Sequence, residues 1–229
     1  MLEMKNEVEK MRAEIKLDKQ FFVDCFYKIG KLAEDNRDYW TQLDSDIGDG
    51  DHGINLSIGF REVTKQLPEL ALGEEDLSQF LRKIGMILLS KVGGASGPLY
   101  GSLFMKMGDD YKGQNEVSFD EFVGMLDSGI AAVIFRGKAE LGDKTMVDAL
   151  LPGVNHLKEN ANQLQPAERM SEAVGVMKAG ADSTVDLIAK KGRAVRLGKR
   201  SIGHRDPGAE SSWMLMNVFA TEIGLVGLK

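Results

Sequence analysis

The chain has 229 residues and a net charge of −6, with 43% hydrophobic and 28% charged residues. This length and apolar content are enough to bury a core, in one large domain or two small ones. The negative charge argues against a broad nucleic-acid surface, and no apolar run reaches the length of a membrane span. We therefore expect no nucleic-acid or membrane partner. Any anionic ligand must therefore be bound by a local feature such as a metal ion, a helix end or a few arginines.

The N-terminal sixteen residues differ from the rest of the sequence. They are charged throughout, unlike a signal peptide, and their apolar residues are spaced 4, 3 and 4 apart: Met4, Val8, Met11 and Ile15. This spacing predicts a helical extension over residues 1–16, ahead of a domain over residues 17–229. Cys25 is the single cysteine, which excludes an internal disulfide and favours a reducing compartment. We expect a cytoplasmic protein.

Helical periodicity extends along most of the remaining chain. Apolar residues recur at intervals of three and four from Leu77 to Leu88 and from Phe119 to Val133. Ser118 and Glu121 have the spacing of a capping box at the start of the second run. Clusters of glycine and isolated prolines separate the runs, and no segment alternates convincingly as a strand would. The pattern predicts one all-α domain of about seven to nine helices.

The stretch "DSDIGDGDHGIN", Asp44 to Asn55, places four aspartates within eight residues and adds His52. Such crowding is unfavourable unless a cation lies among the carboxylates. The spacing does not fit an EF-hand, but oxygen ligands in a glycine-rich turn suit Mg²⁺ or Ca²⁺. Asx-turn and helix-capping chemistry is the alternative explanation. We favour a metal site, and specifically a metal–phosphate site, because Mg²⁺ commonly keeps water or phosphate oxygens as ligands.

Two further glycine clusters resemble ligand loops. "GGASGPLYGS", residues 93–102, indicates a loop entering a helix, where free N–H groups can hold a phosphate. It lacks the Gly-Lys-Ser/Thr ending of a P-loop, and close helix packing explains its small residues equally well. In "RGKAELGDKTMVDALLP", residues 136–152, we expect Asp143 to cap the helix that carries Met146. The flanking basic residues also fit a solvated face.

The fourth cluster is basic. Seven lysines and arginines lie within residues 190–205, which is either a solvated loop or a ligand-binding segment. The following "DPGAESS" predicts a final helix with Asp206 as N-cap and Pro207 in its first turn. His52 and His204 stand beside carboxylates in glycine loops and are candidate site residues. His156 falls inside a helix, where a structural role is the better interpretation.

Taken together, "IGDGDHGIN", "VGGASGPLYG", "RGKAELGDKTMVDAL" and "GHRDPGAES" closely resemble the nucleotide-binding L subunit, and equivalent C-terminal domain, of dihydroxyacetone kinases. The resemblance runs from about Asp18 to Leu228 and omits the N-terminal extension. It implies an all-α antiparallel barrel of eight amphipathic helices, with the nucleotide held by loops at one end. It also implies a kinase subunit, a phosphotransferase of the glycerone kinase type.

The resemblance also implies a set of site residues. Asp44, Asp49 and Asp51 would hold two Mg²⁺ ions that bridge the nucleotide phosphates, and Asp46 would not be a ligand. The nucleotide, ADP or ATP, would contact residues from all four clusters: His52, Asn55, Ala95, Ser96, Gly137, Met146, Arg193, Asp206, Pro207 and Gly208. No sugar-binding histidine is expected on this chain, because in the family that residue belongs to a separate K subunit or domain.

Family members divide into two branches that differ in the phosphate donor. In one, ATP is the donor and K and L domains are often fused. In the other, a bound ADP is rephosphorylated by a phosphoprotein of the phosphoenolpyruvate-dependent sugar transport system, and this branch is favoured here. A regulatory module that binds a transcription regulator is a further alternative. The N-terminal extension is unusual in the family, as is Arg196, where many members have an aromatic residue.

Overall fold

The computed structural model describes residues 15–73, 76–161 and 163–227. Most of the predicted helical extension, residues 1–14, therefore lies outside the described residues. The Cys25 side chain is completely buried, and burial raises the pKa of its thiol far above the ordinary range. A thiol in this environment serves as a small apolar core group.

The all-α prediction is confirmed, with nine α-helices in the described part of the chain. They are α1 (Lys19–Asp35), α2 (Arg37–Ile47), α3 (His52–Leu72), α4 (Leu77–Lys91), α5 (Ser96–Met107), α6 (Phe119–Gly137), α7 (Met146–Glu159), α8 (Pro166–Ser183) and α9 (Pro207–Val226). Two 3-10 helices, Thr184–Asp186 and Arg193–Ser201, lie between α8 and α9.

Two short strands were not predicted from the sequence. The strands β1 (Lys16–Asp18) and β2 (Glu116–Ser118) pair antiparallel, with Leu17 opposite Val117. Each strand buries only its central residue, so the sequence carries too few alternating positions to distinguish it from a loop. The pairing fixes the residues just ahead of α1 against the residues just ahead of α6.

The order of the helices along the chain determines which helix ends lie at the same end of the bundle. Neighbours in sequence pack side by side from α3 to α9, and α9 returns to pack against α1. The C-terminal ends of α2 and α6 and the first turns of α3, α5, α7 and α9 line one cavity. The four predicted clusters are the connections between these helices, so an antiparallel arrangement brings them to one end. The closed eight-helix barrel itself stays a prediction.

The opposite half of the bundle is an apolar core rich in aromatic rings. Phe122 contacts four other rings, those of Phe21, Phe22, Phe119 and Phe219, with centroids 5.6–6.4 Å away. Phe22, Phe122 and Phe219 are completely buried. Aromatic side chains bury large apolar areas, so this cluster supplies much of the stability of the fold.

Helix caps follow the sequence expectations in two cases out of three. Ser118 and Glu121 form the predicted capping box of α6. Asp206 caps α9 by accepting from the backbone N–H of Ala209 at 2.7 Å. The expected cap of α7 was wrong, because Thr145 occupies that position and forms a capping box with Asp148. Asp143 lies two residues earlier and accepts from the backbone N–H of Glu140 at 2.9 Å.

Candidate functional site

Three aspartates converge at the junction of α2 and α3. One carboxylate oxygen from each of Asp44, Asp49 and Asp51 lies within 4.8 Å of the others. Asp44 stands in the last turn of α2, and its Oδ2 accepts from the backbone N–H groups of Asp51 at 2.8 Å and His52 at 3.1 Å. The loop between the helices can fold back on Asp44 because it is rich in glycine. A Cβ at Gly48 would lie 2.0 Å from Asp44 Oδ1, and Gly50 has φ of +73°.

The electrostatics of this group favour a cation. Burial, and then the neighbouring charge of Asp49, raise the pKa of Asp51 above its ordinary value. The Arg193 guanidinium lies 2.7 Å from Asp49 Oδ2 and supplies one positive charge. Asp46 faces elsewhere and lies 3.7 Å from His204 Nδ1. The group thus combines three carboxylates with one arginine, and the negative C-terminal end of α2 adds to the attraction for a cation.

The start of α5 forms the second part of the site. Ser96 is the first residue of the helix and is half-buried, and its Oγ lies 3.0 Å from His52 Nδ1. His52 is buried, and burial lowers the pKa of its ring to about 4, so the ring is neutral near pH 7. The first N–H groups of α5 have no partner within the helix and carry its positive dipole end. A phosphate is suited to this position.

The loop between α6 and α7 is held by buried polar groups. Lys144 is 1% exposed, and its Nζ donates to the backbone carbonyls of Thr184 and His204. Its backbone adopts φ of +62°, unusual for a residue with a side chain. Asp148 accepts from the backbone N–H of Thr145 at 2.7 Å and from that of Gly142 at 2.5 Å. These bonds fix the loop against the start of α9 and thereby set the position of Met146.

The basic segment divides into residues that the fold uses and residues that face solvent. Arg205 pairs with Asp182 and with the buried Glu210, which also accepts from Tyr39 and Trp213. Arg205 is therefore structural, whereas Arg193 reaches the carboxylate group. Arg196 is exposed on the 3-10 helix Arg193–Ser201, as are Lys199 and Arg200.

The loops enclose a cavity of about 480 Å³. Twelve of the thirteen residues predicted for the site line it: Asp44, Asp49, Asp51, His52, Ala95, Ser96, Gly137, Met146, Arg193, Asp206, Pro207 and Gly208. Asn55 is the exception, since it lies one turn into α3 and interacts with Asp51. Burial raises the pKa of Asp206, at the cavity wall, to about 7.

The cavity also includes residues that sequence reasoning missed. Lys144, Thr145 and Tyr100 contribute to its walls, and Arg136 lies at the end of α6. A Thr-x-x-Asp spacing at Thr145 could have revealed the cap. No pattern in the sequence indicates that Lys144 is buried, because its partners are backbone carbonyls from distant segments.

The model of the DAK2 domain matches residues 46–221. The chain belongs to the DAK2 domain family. It is 63% identical over 206 residues to the "PEP-dependent dihydroxyacetone kinase 2, ADP-binding subunit DhaL" of Listeria innocua, covering 90% of this chain and 95% of the relative. Identity to the corresponding Escherichia coli subunit, also named PEP-dependent and ADP-binding, is 40% over 205 residues, covering 89% and 97% of the two chains.

A solved structure shares this DAK2 fold. It is the dihydroxyacetone kinase from C. freundii in complex with AMP-PNP and Mg²⁺, with a TM-score of 0.65 and 28% identity. The match covers 87% of this chain but only 32% of the kinase, so this chain spans about a third of that protein. Within the part of the chain that the structure describes, the longer helices are too polar to pass through a lipid bilayer.

Proposed function

We propose that this chain is the ADP- and Mg²⁺-binding subunit of a phosphoenolpyruvate-dependent dihydroxyacetone kinase. The main observation that supports this proposal is a single cavity. It joins three converging carboxylates to the N-terminus of α5, next to an apolar wall. Carboxylates suit a divalent cation, and the helix start suits phosphate groups. The 63% identity to a subunit with that name supports the choice of donor and substrate.

The proposed division of roles follows the two sides of the cavity. Asp44, Asp49 and Asp51 would hold two Mg²⁺ ions, and the chemistry these ions would supply is neutralisation of phosphate charge. Ser96 and the backbone N–H groups beside it would bind phosphate oxygens. The face of the purine ring would lie against Met146, next to Pro207 and Gly208. A Cβ at Gly208 would lie 3.1 Å from Asp206 Oδ2, a tight contact, and 3.7 Å from Met146 Cβ, an ordinary one.

Phosphoryl transfer requires two partner proteins in this proposal. A phosphoprotein of the sugar transport system would rephosphorylate ADP, and a separate K subunit would hold dihydroxyacetone. The loops around the cavity and the exposed basic side chains of Arg196, Lys199 and Arg200 lie at the same end of the bundle, where both partners need access. We place the working complex in the cytoplasm.

The first test is to denature freshly purified protein and count the released ligands. We expect about one ADP and about two Mg²⁺ per chain, retained through gel filtration, because a coenzyme must stay bound between turnovers. A protein that is purified empty but binds Mg·ATP in a titration would favour an ATP-using kinase subunit. A protein that binds neither nucleotide would overturn the kinase assignment.

The metal assignment has a mutational test with a matched control. Asp49→Ala should abolish Mg²⁺-dependent ADP binding, measured by calorimetry, while circular dichroism shows an unchanged helical fold. The fold survives because the aspartates repel one another and contribute little stability without a cation. Asp46→Ala removes a neighbouring carboxylate that faces His204, and it should leave ADP affinity within about twofold. Full ADP affinity in the Asp49 variant would contradict the assignment.

A further inference from the structure

Four side chains form a continuous hydrogen-bonded row at the wall of the cavity. Tyr100 Oη lies 2.8 Å from Ser211 Oγ, and Ser211 Oγ lies 2.8 Å from His52 Nε2. The other ring nitrogen, His52 Nδ1, lies 3.0 Å from Ser96 Oγ. The row connects α3, α5 and α9 close to their N-termini, and Ser96 and Tyr100 share one face of α5 because they are four residues apart. Ser96, at one end of the row, is half-buried, whereas the other three side chains are buried.

Burial fixes the direction of the first bond. Tyr100 is 1% exposed and packs edge-on against Phe60, and Ser211 is completely buried. A buried hydroxyl left without a partner is costly. Among the described residues, Ser211 Oγ is the one hydrogen-bond partner of Tyr100 Oη, so the phenol proton must be donated there. Ser211 therefore accepts from Tyr100.

The backbone carbonyl of Pro207 also accepts from the His52 ring. Among the side chains of the row, the remaining protons have two possible arrangements. In the first, Ser211 donates to His52 Nε2, the ring carries its proton on Nδ1 and donates to Ser96, and the Ser96 proton is free for the cavity. In the second, the ring proton is on Nε2, and Ser211 donates instead to the carbonyl of Gly208 at 3.3 Å. Ser96 must then donate its own proton to Nδ1 and presents only lone pairs to the cavity.

A phosphate distinguishes the two arrangements, because it accepts hydrogen bonds and repels lone pairs. In both arrangements Tyr100 donates to Ser211. This bond favours the first arrangement, because Ser211 then accepts one hydrogen bond instead of two and does not depend on the longer 3.3 Å contact with Gly208. We propose that Tyr100 and Ser211 are positioning residues that hold His52 in the tautomer protonated at Nδ1, so that Ser96 donates its proton to a nucleotide phosphate. This inference rests on the proposed nucleotide site and adds two buried residues to it.

The row is tested on the full chain with Mg²⁺ by comparing ADP with adenosine. Tyr100→Phe should weaken ADP binding about three- to tenfold, the effect of a hydrogen bond, and leave adenosine binding unchanged because adenosine has no phosphate. Tyr111→Phe is the matched control. Its hydroxyl donates to the backbone carbonyl of Glu121 at 3.0 Å, at the far end of α6 from the cavity, so ADP affinity should not change. Ser211→Ala provides a second break in the row if Tyr100→Phe folds poorly.

The tautomer gives a readout that a purely structural role would not change. In nitrogen-15 spectra of the imidazole rings, a protonated nitrogen resonates far upfield of an unprotonated one. The chain has three histidines, so the signals of His52 are identified by their loss in His52→Gln. With Mg·ADP bound, we expect Nδ1 of His52 to be the protonated nitrogen in the wild type. Tyr100→Phe should mix the two tautomers.

The outcomes separate this inference from the proposed function. If the wild type binds no nucleotide, the proposed function fails. If the wild type binds ADP but its His52 is protonated at Nε2, the inference alone is overturned. It is equally overturned if Tyr100→Phe and Ser211→Ala both keep wild-type ADP affinity, or if they weaken ADP and adenosine binding to the same extent.

Discussion

The two ends of the helix bundle follow different structural rules. At the cavity end, buried polar groups such as Asp44, His52 and Lys144 are held by specific hydrogen bonds, and several loop residues have positive φ. The opposite half contains a cluster of buried phenylalanines with a capping box and a short strand pair. Stability therefore resides mainly in the apolar half, while the cavity end uses polar groups to shape a site. Substitutions in the apolar half should therefore change stability without changing ligand affinity.

The largest effect is expected in the apolar half. Phe122→Ala removes a completely buried ring from the centre of the aromatic cluster and should lower the free energy of unfolding by about 3–5 kcal/mol. Urea denaturation followed by circular dichroism measures the change. Phe135→Ala on the same helix is the control, since Phe135 is 85% exposed and its loss should change stability by less than about 0.5 kcal/mol. ADP affinity of the folded fraction should stay unchanged in both, and a large loss of affinity in Phe122→Ala would contradict the separation.

The next effect concerns two groups at the cavity end whose pKa values are shifted, His52 and Asp206. Burial raises the pKa of Asp206 from 3.8 to about 7, so the folded chain binds more protons than the unfolded chain in that range and stability falls as pH rises. Burial lowers the pKa of His52 from 6.5 to about 4, so the unfolded chain binds more protons there and stability rises with pH. The two contributions oppose each other in the wild type without ligand.

Removing either group should leave the pH dependence of stability that the other group causes. Relative to wild type, Asp206→Asn should become more stable as pH rises from about 4 to 6.5, and His52→Gln should become less stable. Each slope has an upper limit of about 1.4 kcal/mol per pH unit for one proton. Urea unfolding in EDTA at several pH values measures the slopes. Parallel curves for both variants and the wild type would show that these groups do not titrate as the structure indicates.

A smaller effect is expected from the buried lysine. Burial lowers the pKa of Lys144, and its ammonium group satisfies two carbonyls from different segments. Lys144→Met keeps the side-chain volume but leaves those carbonyls unpaired, which should cost about 1–3 kcal/mol in unfolding free energy and weaken ADP binding. Lys138→Met is the control, because Lys138 also has positive φ but is exposed. Equal stability of the two variants would show that the Lys144 bonds are dispensable.

The sequence predicted features that depend on local pattern. Helical periodicity placed α4 and α6, and the caps at Ser118 and Asp206 were predicted because capping is set within a few residues. The clustering of aspartates around glycines predicted that carboxylates converge on a cation, and the family resemblance selected Asp44, Asp49 and Asp51. In these cases the interacting residues are close in sequence, so a short window contains the information.

Features that depend on distant contacts were missed. The bonds of Lys144 join it to carbonyls 40 and 60 residues away, and the row from Tyr100 to His52 passes through Ser211. In the sequence, Tyr100 cannot be distinguished from an ordinary apolar core position of its helix. The prediction of the α7 cap failed for a local reason. Asp143 and Thr145 are both good cap residues, and Asp148 completes a capping box with Thr145.

The strand pair has a practical consequence for handling the protein. It attaches β1 beside the start of α6, whereas the end of α6 lines the cavity. The 19 residues of α6 span about 28 Å at the usual helical rise. Residue 15 thus enters the described fold a full helix length from the ligand loops. A capture tag ahead of it should anchor the protein to a sensor surface with its binding end turned toward the solution.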